Sequence, residues 1–191
     1  MSDSHRRPLF HVGQQNIKTA LTTLLVALLY FIVKRNPTFA CIGAIFGTGT
    51  DMPNSRLNGG NRFFGTVIGG VLGMLLFRLY ILIYPDGSTH ALMLLFVAVG
   101  VVLLILTSRV CRWVGAVQPG GVVLCIILYN TPVDTYISYS VNRIIDTGVG
   151  VAVALLVSWL LPRERMYRIL EFLHLRKSPE KAPAAEPIEA E

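Results

Sequence analysis

The sequence predicts an all-α integral membrane protein whose six transmembrane helices form two inverted three-helix repeats, followed by a short cytoplasmic amphipathic helix. Three observations support this fold class. Hydrophobic residues make up 53% of the chain and charged residues only 15%, whereas about a quarter of the residues of a soluble domain are charged. The apolar residues fall in long blocks, several near the ~20 residues that cross ~30 Å of hydrocarbon. Polar positions of the first half also recur in the second half.

The apolar blocks predict six membrane segments, at 17–34, 37–50, 61–84, 90–108, 113–130 and 137–161. The first has no convincing small-residue cleavage site behind it, so we interpret it as a retained span rather than a signal peptide. The two repeats cover 17–84 and 90–161. Together they form a transmembrane domain over 17–161, preceded by a cytoplasmic segment at 1–16.

The second and fifth segments are short or interrupted. Residues 37–50 would form only ~21 Å of helix. The fifth contains Pro119-Gly120-Gly121, which is expected to break the helix and leave a short stretch from Val122 to Tyr129. Such segments at matching places of two halves are typical of a transporter's substrate path. A helix that begins inside the membrane directs its free N–H groups at what lies there, which favours an anion. The alternative is a pair of tilted or interfacial helices without a ligand.

The last part of the chain differs in character from the membrane segments. Residues 162–177 are predicted to form an amphipathic helix on an anionic inner leaflet, because apolar residues recur at helical spacing between arginines. Residues 178–191 are mainly Pro, Ala and Glu, so this tail is predicted to be disordered.

Basic residues are distributed unequally between the two sides that alternating loops define. One side keeps chiefly Lys34 and Arg35, and the other collects Arg6, Arg7, Lys18, Arg56, Arg62, Arg109, Arg112 and the cluster from 163 to 181. The positive-inside rule then places both termini in the cytoplasm, for a multi-pass protein of the cell (plasma or inner) membrane. The same distribution accounts for the net charge of +6 without a nucleic-acid partner.

An internal repeat appears when the sequence is shifted by 81 positions. The shift places Asn61-Arg62-x-x-Gly65-Thr66-x-x-Gly69 on Asn142-Arg143-x-x-Asp146-Thr147-x-x-Gly150. An arginine at the same place of both halves is hard to obtain by chance, because arginine is costly inside a membrane. Each half holds three spans, so the second half should be inverted relative to the first.

The recurring polar residues are candidates for an anion path. Arg62 and Arg143 would hold an anion bidentately, although snorkelling to headgroups or a structural ion pair is the alternative. Asp146 lies one turn after Arg143, so it would either pair with that arginine or titrate and couple flux to protons. Thr66, Thr147 and, at the mouth before Pro37, Lys34 complete the candidate path, and Lys34 alternatively marks only a span terminus.

Small residues recur at helical spacing in the third and sixth segments. The positions are Gly65, Gly69 and Gly73, matched by Gly150 and Ala154. Small residues on one face let helices approach closely in lipid, so these positions predict helix packing or a protomer interface.

No enzymatic constellation is present in the sequence. It lacks a Walker glycine loop, metal-ligand spacing and a nucleophile elbow, and its three cysteines lie within or beside apolar segments. We therefore expect no catalytic activity, no metal and no cofactor.

The Arg62-x-x-Gly65-Thr66 and Arg143-x-x-Asp146-Thr147 motifs, with a terminal Leu-Leu-Pro at 160–162, resemble the aromatic acid exporter / fusaric acid resistance superfamily (FUSC-like). Plant aluminium-activated malate transporters look like distant relatives. The resemblance covers about residues 14–165. It implies a homodimeric bacterial inner-membrane protein that moves organic anions outward, with aromatic carboxylates as one candidate class and with Arg62 and Arg143 lining the path.

The chain departs from many of these relatives, which carry a sizeable cytoplasmic domain or a second membrane half after the membrane part. Two other function classes stay open at this point. One is a non-transporting accessory or assembly protein that acts through helix contacts, and the other is an intramembrane enzyme. The sequence also leaves open whether flux is passive or proton-coupled, and whether a path lies within one protomer or between two.

Overall fold

The computed structural model describes residues 14–162 and residue 165. In this part of the chain, the regular structure is entirely helical, which confirms the predicted all-α class. The helices are α1 (Gln14–Val33), α2 (Thr38–Gly47), α3 (Met52–Ile83), α4 (Ala91–Val110), α5 (Val117–Asn130) and α6 (Tyr136–Leu160), with a 3₁₀ turn over Val114–Ala116 before α5. The amphipathic helix and the tail predicted over 162–177 and 178–191 lie outside the described residues, apart from positions 162 and 165.

Four of these helices, α1, α3, α4 and α6, are long and apolar enough to cross a membrane by their length and composition. The other two are shorter, with 10 residues in α2 and 14 residues in α5. At 1.5 Å per residue they measure ~15 and ~21 Å, less than the ~30 Å thickness of hydrocarbon.

Helix α3 begins at Met52, earlier than the predicted start at 61, and runs for 32 residues. The Asp51 side chain caps the new start by accepting a hydrogen bond from the Asn54 amide at 2.9 Å, and Pro53 occupies the first turn. The prediction was wrong because it followed the apolar block. The first turns of α3 are polar, so the helix extends beyond that block.

Helix α5 contradicts the expected break at Pro119-Gly120-Gly121. It starts at Val117, so Pro119 falls in the first turn, where the backbone N–H groups have no intrahelical partner. The proline therefore removes no hydrogen bond, and the helix continues through both glycines to Asn130.

The two longest helices cross antiparallel in the centre of the molecule. The Ser55 and Ser158 hydroxyls meet at 2.8 Å near one end of the crossing. Farther along α3, Gly59 faces Val151, Phe63 faces Gly148 and Gly70 faces Ile144. This register places Thr66 level with Thr147, and both side chains are buried.

The halves are interlocked around this crossing. Helix α3 packs on α5 of the second half, and α6 packs on α2 of the first half. In the same manner, α1 contacts α2 and α6, while α4 contacts α5 and α3. The short helices are therefore held between long helices. The outward faces of α1 and α4 carry exposed apolar side chains such as Phe31, Leu94 and Leu95, which suits contact with lipid.

The predicted small-residue positions lie in these packing contacts within the chain. A Cβ atom on Gly69 would collide with the backbone of Gly120 in α5, and one on Gly150 with the backbone of Ala40 in α2. Gly65 likewise faces the start of α5, Gly73 faces Ile127, and Ala154 is fully buried near Gly47. All five positions thus pack helix against helix inside one protomer.

Candidate functional site

A cleft of about 510 Å³ opens beside Arg62 on α3. Its lining combines polar and apolar residues: Phe46, Asn58, Asn61, Arg62, Gly115, Gln118, Pro119 and Val122. The Arg62 guanidinium carbon lies 5.3 Å from the centre of the Phe46 ring, within cation–π range. The cleft therefore offers a cation, several amide groups and an aromatic face to one occupant.

The first turn of α5 forms part of the same cleft. Gln118 and Pro119 belong to this turn, and the residue before the helix, Ala116, provides no side-chain cap. The Val117 N–H donates to the Val114 carbonyl and Pro119 has no N–H, so it is the positive end of the helix dipole that lies beside Arg62. The dipole and the arginine charge both favour an anion in the cleft.

Arg62 carries a charge that no acidic side chain of the described residues balances. Its Nε atom is buried and has no hydrogen-bond partner, and no carboxylate within residues 14–162 lies at ion-pair distance. Thr66 does not relieve this, because its hydroxyl donates to the Arg62 carbonyl at 2.9 Å. The guanidinium keeps unused donors for a ligand.

Arg143 occupies the corresponding place on α6 but is more enclosed, with 2% of its surface exposed. Its guanidinium carbon lies 4.2 Å from the centre of the Phe39 ring, in the first turn of α2. One terminal nitrogen donates to the Tyr139 hydroxyl at 3.0 Å, while Nε is buried without a partner. Each arginine thus lies on a phenylalanine and at the start of a short helix from the other half.

Asp146 does not form the predicted pair with Arg143. Its Oδ1 atom accepts a hydrogen bond from the Tyr30 hydroxyl at 2.8 Å and an ion pair from Arg35 Nη2 at 3.0 Å. Arg35 also donates to Asn142 at 3.3 Å. The carboxylate therefore links α6 to α1 and to the α1–α2 connection. Arg143 has no acidic partner among the described residues.

The two arginines lie within electrostatic range of each other, so their charges repel. Thr147 is buried on α6, where its carbonyl closely faces Gly43 of α2. Lys34 is exposed in the α1–α2 connection. The structure thus groups Arg62, Arg143 and the threonines around the central crossing and leaves Lys34 at the rim.

Sequence reasoning missed the roles of Tyr30 and Arg35 as partners of Asp146. For Arg35, one indication was present in the sequence: a second cation follows Lys34 in a connection that was expected to be exposed. Tyr30 gave no signal, because a tyrosine near the end of a span is ordinary. Within the described ranges, no group of three or more His, Cys, Asp or Glu side chains could hold a metal ion.

A family model described as fusaric acid resistance protein-like matches residues 21–157 of the chain. No curated protein and no solved structure gave a significant match. The matched range extends from α1 nearly to the end of α6 and includes Arg62, Arg143 and Asp146. The distant relation to malate transporters stays a prediction. The chain is a multi-pass membrane protein that belongs to the fusaric acid resistance protein-like family, a family of membrane transporters.

Proposed function

We propose that the chain moves organic anions across the bacterial inner membrane along a path between the long and short helices of the two halves. The observation that carries this proposal is the pair of arginines without acidic partners, one from each half. Burying an unpaired charge costs several kcal/mol. We therefore expect such a charge at a place where a ligand of opposite charge binds.

The local chemistry supports a carboxylate attached to an organic body. A guanidinium binds a carboxylate through two parallel hydrogen bonds, and the positive end of the α5 dipole lies next to Arg62. Phe46 and Phe39 supply an apolar face beside each charge. Aromatic carboxylates fit both features and are our first candidates. Small aliphatic acids such as malate would use the arginines alone.

The enclosure of the two arginines supports a stepwise path. Arg62 is half-buried and lines an open cleft, whereas Arg143 is closed off. An anion entering the cleft would bind Arg62 and then pass to Arg143. Because the charges repel, an anion between them is shared, which keeps either site from holding it too tightly.

We also propose that the membrane domain has six crossings with inverted halves and both termini in the cytoplasm. The supporting observations are the sequence repeat and the matching partners of α3 and α6. In this arrangement Arg62 is reached from the cytoplasm and Arg143 from the opposite side. We keep the homodimer as a proposal, with its interface on faces other than the glycine positions.

The test is anion flux out of proteoliposomes loaded with 4-hydroxybenzoate or malate. Wild type is compared with Arg62→Gln and with Arg78→Gln, which changes an exposed arginine of the same helix outside the cleft. We expect saturable flux for wild type and Arg78→Gln, and a reduction of roughly ten- to a hundredfold for Arg62→Gln, since losing a charged hydrogen bond costs ~1.5–3 kcal/mol. Wild-type flux equal to that of empty liposomes for several carboxylates would contradict the proposal and favour an accessory role.

A further inference from the structure

The connection between α1 and α2 is fastened to α6 by an ion pair. Asp146 is 6% exposed, and its Oδ1 atom receives both the Tyr30 hydroxyl and Arg35 Nη2. The same Arg35 nitrogen reaches Asn142. Arg35 itself keeps 43% of its side chain exposed, so the pair lies at the boundary between water and the interior.

The backbone before Arg35 is in an unusual conformation. Lys34 has a φ of +55°, in the left-handed region that side chains other than glycine seldom adopt. This turn ends α1 and directs Arg35 back over the bundle toward α6. The Lys34 N–H donates to the Phe31 carbonyl at 3.2 Å and the Arg35 N–H to the Tyr30 carbonyl at 3.1 Å. This turn is therefore a Schellman cap of α1 that fixes the position of Arg35.

In the second half, the equivalent connection between α4 and α5 is held by different contacts. Arg112, with a φ of +60°, precedes Trp113, whose ring stacks on Phe64 of α3 at 4.5 Å and covers Gly60. Gly65 stands where Asp146 stands in the repeat. One connection is therefore held by aromatic packing, and the other by an ion pair that a competing charge can break.

Arg143 supplies such a competing charge. It lies one turn before Asp146 on α6, a spacing at which helical side chains can meet, and it has no carboxylate partner among the described residues. Asp146 engages only Arg35 here. The Arg143 guanidinium donates to Tyr139 and lies on Phe39, so it would have to change rotamer to meet the carboxylate. Exchanging one arginine for the other breaks one ion pair and forms another.

We propose that the Arg35–Asp146 pair is a gate at the α1–α2 end of the path, and that the gate opens when Asp146 turns from Arg35 to Arg143. With the gate closed, Arg143 is shielded from this end and free to accept an anion from the Arg62 side. When the gate opens, Asp146 replaces the anion on Arg143 and releases it toward Arg35. The inference rests on the proposed function for the identity of the cargo, but the gate itself can be tested without flux.

The test measures the reaction of a buried thiol with a membrane-impermeant sulfonate reagent. The reporter is Ser140→Cys, on α6 one turn before Arg143, in a chain carrying Cys41→Ala, Cys111→Ser and Cys125→Ala. Ser140 is fully buried and lies one turn from the enclosed Arg143, so we expect a thiol there to react slowly while the gate is closed. We compare Arg35→Gln and Asp146→Asn with Arg35→Lys, which keeps the charge, and with Arg78→Gln as the matched exposed arginine.

We expect Arg35→Gln and Asp146→Asn to react faster by roughly tenfold, and only with reagent added at the α1–α2 side, because the loss of ~1.4 kcal/mol shifts an equilibrium by that factor. Arg35→Lys and Arg78→Gln should react much as the parent does. Arg143→Gln should react more slowly than the parent, since Asp146 then has no second partner. Faster reaction from both sides would indicate unfolding and overturn the gate, as would equal rates in all variants.

These outcomes separate the two proposals. Absence of flux in wild type with a side-specific change in thiol reaction would remove the proposed function and leave the gate. Flux that depends on Arg62 with no change in thiol reaction would leave the function and remove the gate.

Discussion

Arg143 is the residue whose environment is hardest to explain by structure alone. Arginines inside membranes pair with carboxylates or extend to the headgroups, and Arg143 does neither in the described part of the chain. Its contact with Phe39 is worth ~2 kcal/mol when desolvated. The desolvation penalty of a buried ion is several kcal/mol, so the contact does not offset it. Such an imbalance is expected at a site that binds a charged ligand transiently.

This imbalance predicts opposite effects of Arg143→Met on stability and on flux. Methionine removes the charge and keeps an apolar stem beside Phe39. We expect the unfolding temperature in detergent to rise by roughly 2–4 °C per kcal/mol recovered, while flux falls to the background of empty liposomes. Arg78→Met, at an exposed position, should change neither quantity by much. A lower unfolding temperature for Arg143→Met would mean that this arginine holds the fold together.

Residue pairs show where sequence reasoning succeeds and where it stops. The matching positions of Arg62 and Arg143 can be read from the repeat alone, because both are rare charges in apolar segments, and their role in an anion path stays a prediction. The partner of Asp146 is not found in this way. Helical spacing predicts Arg143 as the partner. In the structure Arg35, which lies in a connection far away in the sequence, forms the ion pair instead. Only the packing of α1 and α2 on α6 determines that outcome.

At the scale of elements, the short helices α2 and α5 depend on glycines in their long neighbours. Gly150 lets α6 approach the backbone of Ala40 in α2, and Gly69 lets α3 approach the backbone of Gly120 in α5. Backbone atoms cannot rotate away as a side chain can, so even one added methyl group must separate the helices. The same close approach brings each arginine to the start of a short helix.

This dependence predicts that Gly150→Ala destabilises the protein by ~1–3 kcal/mol or more through overpacking. The matched control is Gly121→Ala, since a Cβ atom there meets only the Leu104 side chain at an ordinary 3.9 Å. That substitution should be neutral or stabilising by ~0.5–1 kcal/mol, because alanine is the better helix former. Thermal unfolding in detergent measures both. Equal stability of the two variants would contradict the close packing of α6 on α2.

The boundaries of the elements were predictable only where apolar residues mark them. The predicted ends of α4 and α6 fall within two residues of those in the structure. The start of α3 was not predictable from hydropathy, because its capped first turns are polar. Pro119 was misinterpreted because a proline has different consequences in the first turn and in the interior of a helix.

At the scale of the whole molecule, the proposed topology places the two connections before α2 and α6 on one side of the membrane. The antiparallel course of α1 and α2 supports this, since Lys18 near the start of α1 donates to the Gly49 carbonyl after α2 at 3.4 Å. Short helices that do not cross would instead leave the ends of α2 on the same side.

Cysteine labelling in intact cells tests this topology. We expect Lys34→Cys and Asp134→Cys to react with an impermeant reagent from outside, because both positions are exposed in those connections. Asn54→Cys and the native Cys111 should react only after the membrane is opened, since the positive-inside rule places that end in the cytoplasm. Reaction of Lys34→Cys and Asn54→Cys from the same side would show that α2 does not complete a crossing.

Thiol protection shows whether an organic carboxylate binds in the cleft beside Arg62. Asn58→Cys places a thiol in the cleft, and Arg56→Cys places one on the same helix outside it. In a chain free of the native cysteines, 4-hydroxybenzoate or malate should slow reaction of the Asn58→Cys thiol saturably and leave the Arg56→Cys thiol unaffected. Adding Arg62→Gln should abolish the protection. Equal reaction rates with and without the anions, at concentrations that saturate flux, would contradict binding in the cleft.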